Sequence, residues 1–130
     1  MNEQAAPYHA HIYYAAGERD SAAALRDAFM AQAGDGERSI LFVGRMMDAP
    51  VGPHPIAQYE IHFREGALED VMERIRRSGL RALVHPLTQD DVADHTSLGN
   101  WIGEPVDLDL GVLDPPGQNQ GIPRFGKTDF

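Results

Sequence analysis

The sequence predicts an α+β sandwich of the ferredoxin-like kind, βαββαβ, with an antiparallel sheet in the order 4-1-3-2 and both helices on one face. Three observations predict it. Four short runs rich in β-branched and aromatic residues are interleaved with two stretches of helical apolar spacing. Gly and Pro punctuate the junctions. The chain of 130 residues, 42% hydrophobic, is long enough for one packed core.

Residues 8–14 (YHAHIYY) read as strand one. After Gly17, Asp20 or Ser21 is placed to cap a helix running to about Ala33, with Ala24, Leu25, Ala28 and Phe29 on its apolar stripe. Gly34-Asp35-Gly36 stops it. Ser39–Met46 reads as strand two, and Asp48–Pro55 as a loop stiffened by three prolines. Gln58–Phe63 is strand three. Ala67–Ser78 is helix two, with Leu68, Val71, Met72 and Ile75 at helical spacing and Gly79 placed to end it. Arg81–Pro86 is strand four, and Thr88–Trp101 reads as a loop with a short helix. The reading is one domain over 1–110 and an extended arm over 111–130, where Pro, Gly, Gln and Asn dominate.

Composition narrows the function. Twenty acidic residues against eleven basic give a net charge of −9, which argues against nucleic acid or an anionic membrane as partner. Cysteine is absent, so disulfides, thiolate chemistry and thiolate-held metals are excluded. No apolar run approaches membrane-spanning length and no signal peptide is evident, so a soluble, cytoplasmic protein is expected.

The six histidines all fall in short punctuated motifs: Tyr8-His9-Ala10-His11, Pro53-His54-Pro55, Glu60-Ile61-His62, Val84-His85-Pro86 and Asp94-His95-Thr96. Strand side chains alternate faces. Ala10, Ile12, Tyr14, Tyr59, Ile61, Phe63, Ala82 and Val84 should therefore lie under the helices. His9, His11, Tyr13, Gln58, Glu60, His62, Leu83 and His85 should share the other face. In this topology strand one is central and antiparallel to strands three and four. Up to four imidazoles and the Glu60 carboxylate then gather near one end of that face. A second copy of the chain is expected to close over it, giving a homodimer.

The ordered set YHAHIYY, GPHP (52–55) and LVHPLTQDDVADHTSLGNWIGEPVDLDL (83–110) resembles the DOPA 4,5-dioxygenase family of bacteria and fungi, over about residues 7–110. The resemblance implies a ferredoxin-like fold and functional histidines at His9, His11, His54, His85 and His95. Glu60 and His62 lie outside the motifs associated with the family. The resemblance further implies an extradiol dioxygenase that opens the ring of DOPA or a related catechol with Fe(II) and O2. Zn²⁺ or another divalent ion is an alternative occupant. Such chemistry uses a metal with open positions and a group near neutral pKa to move catechol protons.

On that basis His9, His11 and His85 are expected at the metal, with Glu60 as the alternative source of the carboxylate such sites commonly carry. His54 and His95 are expected as acid/base and orienting groups, and Tyr13 as a hydrogen-bond partner of substrate oxygen. The bland readings are that His9 and His11 decorate a wet sheet face, that His85 caps its strand, and that His54 and His95 belong to turns. His62 reads as structural or as a support to the ligands, Trp101 as core, and Gln89-Asp90-Asp91 as a solvated helix start. Two other functions share this layout: a metal- or small-ligand-binding dimer without turnover, and a cofactor-free monooxygenase acting on a polyphenol.

Overall fold

A computed structural model describes residues 7–33, 40–50, 53–87 and 91–112. Five strands and three helices follow in the order β1 (Pro7–Tyr13), α1 (Arg19–Ala31), β2 (Ile40–Val43), β3 (Gln58–Arg64), α2 (Leu68–Ser78), β4 (Arg81–Pro86), α3 (Asp91–His95) and β5 (Asn100–Ile102).

The sheet is antiparallel and runs β2-β3-β1-β4-β5. This corrects the expected four-stranded order 4-1-3-2. The difference lies at the β4 edge, where Ala82, Leu83 and Val84 pair with Ile102, Trp101 and Asn100. Three residues after a glycine carry too little alternation to announce a strand. β1 is central and pairs along its length with both β3 and β4.

Helix α1 begins one residue before the cap expected at Asp20 or Ser21. A 3₁₀ turn, Ala16–Glu18, leads into it, and Glu18 Oε1 accepts the Ala15 N–H at 2.9 Å. This is the carboxylate half of a capping box, in which the N3 side chain reaches back to the N-cap N–H. A second such turn, Glu65–Ala67, delays α2 to Leu68. Gly79 ends α2 with φ +77°, a conformation that costs any side chain about 1–2 kcal/mol. The acidic residues Glu69 and Asp70 sit in the first turn of α2 and Arg76 and Arg77 in its last, matching the helix dipole. Strand β2 is shorter than expected and carries an irregularity between Ile40 and Phe42. Its expected start at Ser39 lies outside the described residues, as does the arm beyond Val112.

The core forms between the two long helices and one face of the sheet. Ala10, Ile12, Tyr14, Tyr59, Ile61, Phe63, Ala82 and Val84 from the strands meet Leu25, Phe29, Val71 and Ile75 from the helices. Each large apolar side chain buried there is worth about 1.5–3 kcal/mol against exposure. The alternation read from the sequence therefore decides which face is oily, and the histidine face lies opposite.

Candidate metal centre

Register brings the polar side chains together. His9 sits between His62 on β3 and His85 on β4, and His11 stands opposite Glu60. Two further imidazoles come from outside these strands: His54 from the Pro53-His54-Pro55 turn and His95 from the end of α3. All six histidines are at most 5% exposed, and Gln58, Glu60 and Asp94 are buried with them. A single chain thus shields the cluster that was expected to need a second copy to cover it.

The contacts are close. The His11 ring lies 4.1 Å from His54, 5.1 Å from His85 and 5.8 Å from His95, centre to centre. His85 and His95 are 4.4 Å apart. His9 stacks on His62 at 3.6 Å, nearly parallel, and Phe42 packs on the His62 ring at 4.6 Å. Glu60 Oε2 lies 3.2 Å from His62 Nε2 and 3.6 Å from His9 Nδ1. Three sets have ligand atoms within 4.8 Å of one another: His9, His11 and His85; His11, His54 and His95; His9, Glu60 and His62. All the residues expected to act from the sequence are therefore neighbours, and Glu60 and His62 join them.

Protons are distributed by the partners of each ring. The Nδ1–H of His85 donates to the Pro86 carbonyl oxygen at 2.8 Å, and that oxygen can only accept. The Nδ1–H of His11 donates to Gln58 Oε1 at 3.1 Å. The Nε2 atoms of the two rings face each other at 3.0 Å, close enough to share one proton or one metal ion. Gln58 gave no motif signal and was read only as a residue of this face.

Burial sets the charge state. His11 is held well below the ordinary histidine value, first by burial and then by His54, His85, His95 and His9. His54 is pushed down to about 3, again first by burial and then by His95. The Tyr13 hydroxyl, raised by burial against the opposing pull of Arg81, keeps its proton and shares a 2.7 Å hydrogen bond with His54 Nδ1. The Tyr13 hydroxyl, expected as a partner of substrate oxygen, lies against His54.

Among the described residues, a cleft borders the cluster at His95. It has a volume of about 260 Å³ and lies against His95, Trp101, Val106, Asp107, Leu108 and Leu110. Trp101 stacks on Tyr13 at 6.0 Å, so it forms a cleft wall as well as packing inward. The Asp109 N–H donates to the Pro53 carbonyl at 2.8 Å, tying the cleft segment to the His54 turn. None of the helices among the described residues is long and apolar enough to cross a membrane.

Comparison with known proteins gives consistent results. Residues 8–112 match the Dopa 4,5-dioxygenase family. The chain is 33% identical over 118 residues to a DOPA 4,5-dioxygenase of Amanita muscaria, covering 87% of this chain and 52% of that one. It is 36% identical over 84 residues to an uncharacterized 21.2 kDa protein of Botryotinia fuckeliana, covering 56% of this chain and 45% of that one. The chain thus spans about half the length of these curated relatives. Among solved structures, a candidate dioxygenase from Nostoc punctiforme superposes with a TM-score of 0.73 at 34% identity, over 84% of this chain and 91% of the other.

Proposed function

Because the chain belongs to the Dopa 4,5-dioxygenase family, we propose that it is an extradiol ring-opening dioxygenase acting on DOPA or a related catechol with Fe(II) and O2. The observation that carries this reading is the 3.0 Å approach of His11 Nε2 and His85 Nε2. With both Nδ1 atoms held by oxygen acceptors, the two Nε2 atoms are aimed at one point, where a metal ion can take the place of a shared proton. The spacing is that of adjacent nitrogen ligands bound at about 2.1 Å to one first-row ion. Anchoring of the far ring nitrogen by a carbonyl or amide is the usual support of a metal-binding histidine.

His11 and His85 would hold the ion, with His9 as the third ligand. Fe(II) would supply a redox-active centre with open positions for a catechol and dioxygen. The protein's own part is to position and to move protons. His95 both lines the cleft and meets the cluster, which makes it the group that takes a catechol hydroxyl proton and returns it later. His54, weakly basic and tied to Tyr13, orients the substrate rather than accepting its proton. Burial of the cluster keeps bulk water from the reacting atoms. The overall reaction balances without a reductant: one ring C–C bond breaks and both oxygen atoms enter the product.

The test is anaerobic loading with Fe(II), then addition of a catechol panel with air while oxygen uptake and visible absorbance are recorded. A yellow ring-opened product with one O2 consumed per catechol is expected. Absence of oxygen uptake across the panel by iron-loaded protein would overturn the assignment.

A further inference from the structure

The cleft beside His95 has a charge pattern of its own. Its volume of about 260 Å³ falls just under the roughly 300–1,000 Å³ of ordinary ligand pockets. It therefore suits one aromatic ring with a short substituent, not two linked rings. Trp101, Val106, Leu108 and Leu110 give it apolar walls, and Trp101 offers a flat surface on which a ring can stack. His95 marks the inner end, 4.4 Å from the His85 ring. Asp107 is exposed and marks the outer end.

No Lys or Arg is found among the described residues lining the cleft; Asp107 is the side chain there with formal charge at neutral pH. The whole chain adds a field of the same sign, with a net charge of −9. A carboxylate on the ligand's substituent would meet like charge and, among the described residues, no counter-ion. An ammonium would meet a carboxylate and the attraction of the whole chain.

We propose that this cleft prefers single-ring catechols whose side chain carries an ammonium to those whose side chain carries a carboxylate alone, with DOPA, which carries both, between the two. The diol faces His95 and the cluster, and the ammonium faces Asp107. The proposal rests on the catechol reading above and adds the charge class of the substrate to it.

Trp101 is the chain's sole tryptophan, so its fluorescence reports on the cleft without turnover. Full-length protein loaded with Zn²⁺ and kept under nitrogen is titrated with 2-(3,4-dihydroxyphenyl)ethylamine and with 3-(3,4-dihydroxyphenyl)propionate. The amine should bind on the order of tenfold more tightly at low salt. Asp107→Asn should cut that preference severalfold and Asp107→Lys should reverse it. Equal or tighter binding of the propionate by the wild type, or a preference unchanged in Asp107→Lys, would overturn the proposal. If the preference holds but iron-loaded protein consumes no oxygen, the cleft assignment stands and the ring-opening reading falls. If ring opening occurs with binding blind to charge, the reverse is true.

Discussion

Tyr13 and His54 share a 2.7 Å hydrogen bond across 41 residues of sequence. It fixes a side chain of a loop to the central strand of the sheet. Both groups are buried, so the bond cannot be traded for water. Tyr13→Phe would leave His54 Nδ1 without this partner, at a cost of about 1–3 kcal/mol. Chemical denaturation should show that loss, and kcat on a catechol should fall as His54 loosens. Unchanged stability and rate would show that the bond does not position His54.

The facing Nε2 atoms of His11 and His85 give a prediction about metal retention. Gln58→Leu removes the acceptor that sets the His11 proton and should weaken binding of a divalent ion about 10–100-fold. Gln58→Glu keeps an acceptor and should restore most of it. His85→Ala removes a ligand outright and should cost more than either. Competition against a chelator of known affinity measures all three. Equal affinities for wild type and Gln58→Leu would refute the role given to the Gln58 amide.

Asp48 joins the loop before His54 to helix α1. Its Oδ1 accepts from the Tyr14 hydroxyl at 2.7 Å and from Arg19 Nε at 3.0 Å. The Arg19 bond, then the Tyr14 bond, hold its carboxyl below the usual carboxylate range. A depressed folded-state value gives stability that is full above the unfolded value, near pH 3.9 on the reference scale. That stability disappears as pH falls through the folded one. The Tm of wild type should therefore exceed that of Asp48→Asn by a steady margin from pH 7 to 5. The margin should close in more acid solution; one that grows there would contradict the assignment.

Gly99 is required by a close approach. A Cβ at this position would meet Leu83 Cδ1 at 2.8 Å and the Asp94 carbonyl oxygen at 3.3 Å. Leu83 is fully buried on the site side of the sheet, and Asp94 precedes His95. Gly99→Ala should destabilise the protein by about 1–3 kcal/mol through overpacking. It should also displace His95, seen as a changed response of its ring protons by NMR. A variant as stable as wild type would show that Leu83 yields freely.

Strands β1, β3 and β4 were legible because their side chains alternate between an apolar and a polar set, with Leu83 the exception on the polar face. That alternation also placed His9, His11, His62 and His85 on one face. Strand β5 was not legible, since Asn100-Trp101-Ile102 is too short for a period to show. The reach of Glu18 back to Ala15 was hidden because the residue at the cap position is alanine, which sends no capping signal. Gln58 could be placed on the right face, but its bond to His11 depends on a side-chain rotamer that no spacing encodes. Burial within one chain was missed for a related reason. The sequence shows that His54 lies in a proline-rich turn and that His95 ends a short helix, but not that both fold down onto the sheet.

His11 and His85 stand 74 residues apart in the chain. An ion held between them would cross-link β1 to β4 and close a loop longer than half the molecule. No such loop exists until the central strand has found both partners, so the ion recognises only the finished sheet. Its affinity then adds directly to the free energy of global unfolding, by mass action on the native state. Global unfolding would then release the ion, and the melting midpoint would rise with free metal concentration.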